Sequence, residues 1–133
     1  MDIVLTLDRL NSGLRRIMPR DELSLAAAST LARLHRRGPQ RLTDLYRPEG
    51  VTQPAMTQLV TRLERDGLAI RSSDPVDGRG VVVTATDAGR FAVVRRRAIR
   101  AAALGERLQR LSEADQAAIR AALPALNRLS QEM

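Results

Sequence analysis

From Asp2 to Met18, the residues Ile3, Leu7, Leu10, Leu14 and Ile17 recur at alternating steps of four and three. That spacing lays apolar side chains along one stripe of a helix. The stripe is too short for a free-standing coiled coil, so the helix must dock, either on its own domain or across a dimer. Pro19 is expected to end it, because the proline ring blocks continued helical bonding. A second helix is predicted after the cap Ser24, running through Leu25, Ala28, Leu31, Ala32 and Leu34. Arg36 and Arg37 suit the negative end of its dipole, and Gly38-Pro39 stops it. A short third helix follows from Leu42 to about Arg47, with Leu42 and Leu45 inward and Pro48 and Gly50 closing it. Helix, short turn and a further capped helix form the helix-turn-helix pattern.

The further helix begins after Thr52, a good N-cap, with Pro54 tolerated in the first turn. Its periodicity places Met56, Leu59, Val60 and Leu63 on one face and Pro54, Gln58, Thr61 and Arg65 opposite, flanked by Thr57 and Arg62. Such a polar front is either a solvated face or one suited to a DNA major groove. There glutamine pairs with an adenine edge, threonine touches a thymine methyl, and arginine binds guanine or phosphate. Next come two strand-like runs, Leu68 to Arg71 and Gly80 to Thr84, joined by a turn containing Asp74-Pro75 and Asp77-Gly78. The turn's glycine is expected to take the positive φ of a tight hairpin. Arg79 near the tip suits a narrow minor groove, unless the hairpin is merely solvated. A carboxylate is repelled by phosphate, so Asp77 is expected to orient Arg79, or another arginine, by a paired hydrogen bond.

Thr86 is predicted to cap a long helix from Asp87 to about Arg110, with Phe91, Val94, Ala98, Ala101, Leu104, Leu108 and Leu111 at helical spacing. Arg95, Arg96, Arg97 and Arg100 point to different sides of it, so they do not make one patch. Ser112-Glu113-Ala114-Asp115 is a capping-box variant opening a last helix through Ile119, Ala122, Leu123, Leu126 and Leu129, with Pro124 expected to kink it.

Composition narrows the chemistry. The 133 residues are 44% apolar, enough for one domain with a real core. No run approaches the ~18 apolar residues of a membrane span, and the N-terminus lacks the build of a signal peptide. We therefore expect no membrane partner and a cytoplasmic location. With no cysteine, disulfides, thiol sensing and cysteine-ligated zinc are excluded, and the single histidine, His35, leaves little for a metal. Neither a cofactor nor a metal is expected. A formal charge of +7, carried by arginine alone, favours a polyanion. With only Tyr46 and Phe91 as aromatics, stacking on single-stranded bases has little support, so duplex DNA ranks first. No nucleophile motif or phosphate loop is present, so the chain reads as a binder and not an enzyme.

The stretch from Arg71 to Gly89, R-S-S-D-P-V-D-G-R-G-V-V-V-T-A-T-D-A-G, resembles the MarR family of winged helix-turn-helix transcription regulators. Members carry D-P-x-D-x-R at the wing and a T-x-x-G entry into a long helix, here Asp74, Pro75, Asp77, Arg79, Thr86 and Gly89. The helix after Thr52 is similar to the family's recognition helix over its whole length. The resemblance implies a mainly α fold with a small β-hairpin wing (α+β), in a single domain over residues 1–133. Residues 24–84 would form the winged helix-turn-helix, and residues 2–18 and 87–132 the dimerisation helices. It implies a homodimer in which Ile3, Leu7, Leu10, Leu14, Ile17, Leu104, Leu108, Leu123 and Leu126 meet the partner, acting as a repressor on a pseudo-palindromic operator. The DNA face would comprise Gln53, Pro54, Thr57, Gln58, Thr61, Arg62, Arg65, Arg71, Asp77 and Arg79. It also implies a small-molecule effector, often aromatic or anionic, that lowers DNA affinity. Tyr46 stands where alanine is common in the family, and either lines such a pocket or packs in the core. Gly78 replaces the first of two adjacent wing arginines, and Ala85 a usual leucine. The rival reading is a winged-helix protein–protein module without DNA binding.

Overall fold

The computed structural model describes residues 2–18 and 23–133. The expected stop at Pro19 lies outside the described residues. In chain order the elements are α1 (Ile3–Ile17), α2 (Leu25–Arg37), β1 (Gln40–Arg41), α3 (Leu42–Leu45), α4 (Gln53–Arg65), β2 (Ala69–Ser73), β3 (Val81–Ala85), α5 (Asp87–Leu108) and α6 (Glu113–Gln131). They form two units: one spans Arg20–Ala98, and the other joins Met1–Pro19 to Ile99–Met133.

In the first unit α2 starts where Ser24 accepts the N–H of Ala27 at 3.1 Å, as its sequence predicts. It ends at Gly38, whose φ of 78° few other residues tolerate and whose N–H reaches the Leu34 carbonyl at 2.9 Å. The core is built from Leu31 and Leu34 of α2, Leu45 of α3, Met56, Val60 and Leu63 of α4, and Ala69, Val83 and Ala85 of the strands. Leu25, counted above in the apolar stripe, is exposed, whereas Thr30 is buried with its hydroxyl 4.0 Å from the sulfur of Met56.

The sheet departs from a plain hairpin. It has three antiparallel strands in the order β1-β3-β2, with Gln40 opposite Val83 and Arg41 opposite Val82. Two polar residues give no period-2 signal, and they become a strand because the outer edge of β3 supplies partners for their backbone. The third helix also ends sooner than expected, at Leu45, and the chain turns through Gly50 at a φ of 66°. Strands β2 and β3 pair from Ala69–Ala85 to Ser73–Val81, so each strand lies one residue beyond its expected start. Gly78 does not take a positive φ. The turn is closed instead by the Asp74 N–H on the Gly80 carbonyl (2.9 Å) and the Gly80 N–H on the Asp77 carbonyl (2.8 Å).

Three hydrogen bonds set how α4 leads into the sheet and the sheet into α5. Gly67 takes a φ of 74° at the end of α4, and the Leu68 N–H returns to the Leu63 carbonyl at 2.8 Å. Thr86 then donates its hydroxyl to the Gly67 carbonyl at 2.6 Å and accepts the Gly89 N–H at 3.1 Å. Gly89 is buried against Leu68, so the T-x-x-G entry is a cap plus a position with no room for a side chain.

In the second unit Asp2 caps α1 by accepting the N–H groups of Val4 and Leu5 at 2.9 and 3.3 Å, a cap the apolar pattern did not reveal. Helix α5 stops at Leu108 and not near Arg110, because the N–H of Leu111 tightens onto the Leu108 carbonyl (3.0 Å). Ser112 caps α6 by accepting the Asp115 N–H (3.1 Å), as expected, while the Asp115 carboxylate accepts from the Ser112 hydroxyl (2.7 Å) and not from the backbone N–H that a capping box uses. Pro124 lies inside α6, which continues as one element to Gln131. Neither α1 nor α6 holds a buried residue. No helix among the described residues is long and apolar enough to cross a membrane.

Candidate nucleic-acid interface

Helix α4 is set by its cap and its apolar back. The Thr52 hydroxyl accepts the Ala55 N–H at 3.2 Å, and Pro54 occupies the first turn, where no intrahelical donor is lost. Met56, Val60 and Leu63 are buried, and Leu59 packs against them in part. Gln53, Pro54, Thr57, Gln58, Thr61, Arg62 and Arg65 are all exposed. The helix thus anchors one face and presents glutamine, threonine and arginine on the other.

The structure spends part of that polar front internally. Thr57 donates its hydroxyl to the Gln53 carbonyl (3.0 Å) and Thr61 to the Thr57 carbonyl (2.9 Å). Arg71 of β2 turns onto α4. Its Nη2 donates to the Thr57 carbonyl at 2.9 Å and to the Thr61 hydroxyl at 2.8 Å, while its Nη1 lies 3.7 Å from Glu64 Oε1. Its backbone N–H donates to Glu64 Oε2 at 2.8 Å. Arg71 therefore joins the first wing strand to the helix. Arg65 lies 3.6 Å from Asp66 in an exposed pair worth little in water. Arg62 and Arg79 have no carboxylate partner among the described residues, which leaves their charge available to an anion.

At the wing, Asp77 does support Arg79, but through the backbone: its Oδ1 accepts the Arg79 N–H at 3.1 Å. The expected carboxylate–guanidinium pair is not formed there. It is formed three residues earlier, by a group read from sequence only as a turn former. Asp74 is 5% exposed; its Oδ1 accepts the Val76 N–H at 2.9 Å and its Oδ2 lies 2.8 Å from Arg41 Nε. Chiefly the Val76 N–H holds its carboxyl below the ordinary value. The Asp77 N–H and the Arg41 guanidinium act with it, against partial burial. Asp74 thus ties the wing base to β1. Asp-Pro flags the turn, but nothing local points to an arginine so far back in the chain as its partner.

Tyr46 follows α3 and packs at the edge of the core, with Arg47 above its ring at 5.8 Å. On the helices of the second unit, Ile3, Leu7, Leu10, Leu104, Leu123 and Leu126 are exposed, and Leu14, Ile17 and Leu108 are half-buried.

Comparison with known proteins converges on one group. The profile of the MarR family matches residues 23–81. The HTH-type transcriptional regulator Mb0904 of Mycobacterium bovis is 32% identical over 121 residues, covering 91% of this chain and 85% of that protein. Among solved structures, the transcriptional regulator Tm0710 of Thermotoga maritima superposes with a TM-score of 0.76 at 23% identity, over 96% of this chain and 93% of that one. Bordetella bronchiseptica BpsR, whose DNA binding is regulated by 6-hydroxynicotinic acid, superposes with a TM-score of 0.67 at 24% identity, over 95% and 93% of the two chains. At those identities the structures establish the winged-helix fold alone. Taken with the α4 front, the three-stranded wing and the 32% identical relative, the chain belongs to the MarR family of DNA-binding transcription regulators.

Proposed function

We propose that the chain acts in the cytoplasm as a homodimeric repressor on a pseudo-palindromic operator. It would do so as a single MarR-type domain, with residues 24–84 reading DNA and residues 2–18 and 87–132 pairing the protomers. The observation that carries the reading is α4: an apolar back locked in the core, and Gln53, Pro54, Thr57, Gln58, Thr61, Arg62 and Arg65 left on the surface. Gln58 suits an adenine edge, and Arg62 and Arg65 suit guanine or phosphate. Arg79 takes the minor groove, its backbone steadied by Asp77. Arg71 serves the same surface from behind, as the brace of α4.

The dimer reading is supported by the exposed leucines and isoleucines of α1 and α6, which find no cover among the described residues. A two-fold pair of reading heads sets half-sites about 10 bp apart. Release by a small molecule is supported by the fold shared with BpsR, and Tyr46 at the core's edge is the residue through which we would first look for it. We assign no enzymatic activity.

Selecting bound fragments from a random duplex library tests the whole proposal: the expected yield is a palindromic sequence. Binding to it should weaken steeply with salt, with log K falling by ~0.9 per log unit for each phosphate neutralised. Gln58→Ala should relax preference at one base pair, at a cost of roughly 1–3 kcal/mol. Arg79→Ala should weaken all sequences alike. A flat salt response and tolerance of Arg79→Ala would leave a protein–protein module in its place.

A further inference from the structure

We propose that Thr61 is a specificity-determining residue that reads a thymine through its methyl group, because the Thr57 carbonyl and Arg71 already engage its hydroxyl. The inference rests on α4 being the reading helix. A threonine hydroxyl has one hydrogen to donate and two lone pairs to accept with. In Thr61 the hydrogen goes to the Thr57 carbonyl at 2.9 Å, and a lone pair receives Arg71 Nη2 at 2.8 Å. Arg71 is itself held on several sides. Its Nη2 also meets the Thr57 carbonyl (2.9 Å), its Nη1 lies near Glu64 Oε1 (3.7 Å), and its backbone N–H is bound to Glu64 Oε2 (2.8 Å).

Thr57 makes the contrast. Its hydroxyl donates to the Gln53 carbonyl at 3.0 Å, but no group among the described residues donates to it, so it keeps its capacity to accept from a base edge. In Thr61 the hydroxyl keeps only one lone pair, and the methyl is the one group of this exposed side chain that makes no polar contact. A methyl beside a major-groove base edge favours the C5-methyl of thymine, which no other base carries. Two threonines one turn apart on the same front would then ask different questions of the DNA, one polar and one apolar.

The test uses a duplex selected by the full-length protein from a random library, with each thymine replaced in turn by deoxyuridine, which removes the methyl and keeps the pairing. The wild-type protein should lose about three- to five-fold in affinity at one such thymine, the equilibrium worth of a single buried methyl. Thr61→Val, which keeps a methyl and removes the hydroxyl, should show the same loss at the same thymine. Thr61→Ser, which keeps the hydroxyl and removes the methyl, should bind thymine and deoxyuridine there alike. The opposite pattern, with Ser behaving as wild type and Val losing the discrimination, overturns the proposal. So does a wild-type protein that binds the duplex with steep salt dependence yet ignores every deoxyuridine. That second result needs no variant and leaves the DNA-binding reading intact. A wild-type protein that binds no duplex overturns both.

Discussion

A Cβ on Gly89 would overlap the carbonyl oxygen of Leu68, a backbone atom that already accepts the Thr86 N–H at 3.1 Å. Unlike a flexible side-chain end, that carbonyl cannot swing aside without opening the entry to α5. Gly89→Ala should therefore destabilise the protein by about 3 kcal/mol, visible as a lowered denaturant midpoint at unchanged slope. A midpoint near that of the wild type would show that α5 can shift. Asp74 makes a different prediction. Its folded pKa lies below 3.8, so its carboxylate stabilises the fold above the unfolded value, and that contribution is lost as pH falls through the folded one. Unfolding curves of wild type and Asp74→Asn should differ at neutral pH and converge as the solution is acidified below about pH 4. A gap that persists to low pH would mean that the carboxylate's charge plays no part.

At the scale of elements, α4 and the wing each have one feature open to direct adjustment. The Thr52 cap is exposed and local, so Thr52→Ala should cost about 1 kcal/mol of stability, read from chemical denaturation, with the apolar back of α4 undisturbed. No loss at all would place the start of α4 under the control of packing alone. In the wing, Gly78 has a negative φ and open space around its Cα, so a side chain fits there without strain. Gly78→Arg should raise duplex affinity and steepen the salt dependence by about 0.9 for each phosphate gained. An unchanged slope in salt titrations would mean that the wing tip stays clear of the DNA backbone. The Arg41–Asp74 pair belongs to this scale too, since it joins β1 to the wing base.

For the whole molecule, the exposed rows on α1 and α6 carry the expectation of a second copy. Leu7, Leu10, Leu123 and Leu126 should be covered in solution, so sedimentation at micromolar concentration should give twice the chain mass of 14.6 kDa. Leu10→Glu with Leu123→Glu should shift that mass to the monomer and cost far more operator affinity than either half-site contact alone, because linked binding of two heads is lost. A monomeric wild type would remove the dimer.

The sequence by itself determined the local events, because these depend on neighbours a few residues apart. Ser24, Thr52, Thr86 and Ser112 cap the helices they were expected to cap. The period of Met56, Val60 and Leu63 picked the buried face of α4, and Asp74 to Gly80 made a turn. Only the tertiary structure decided the contacts that close over longer distances. Gln40 and Arg41 became a strand because the edge of β3 was free to pair, and Asp74 found its cation in Arg41 and not at the wing tip. Arg71, which the sequence offers as one more exposed arginine on a strand, is taken up by α4. Its guanidinium meets the Thr57 carbonyl and the Thr61 hydroxyl because strand and helix come together only in the folded chain. Hydrogen-bond partners of that kind are chosen by position in space, and no spacing along the chain encodes them.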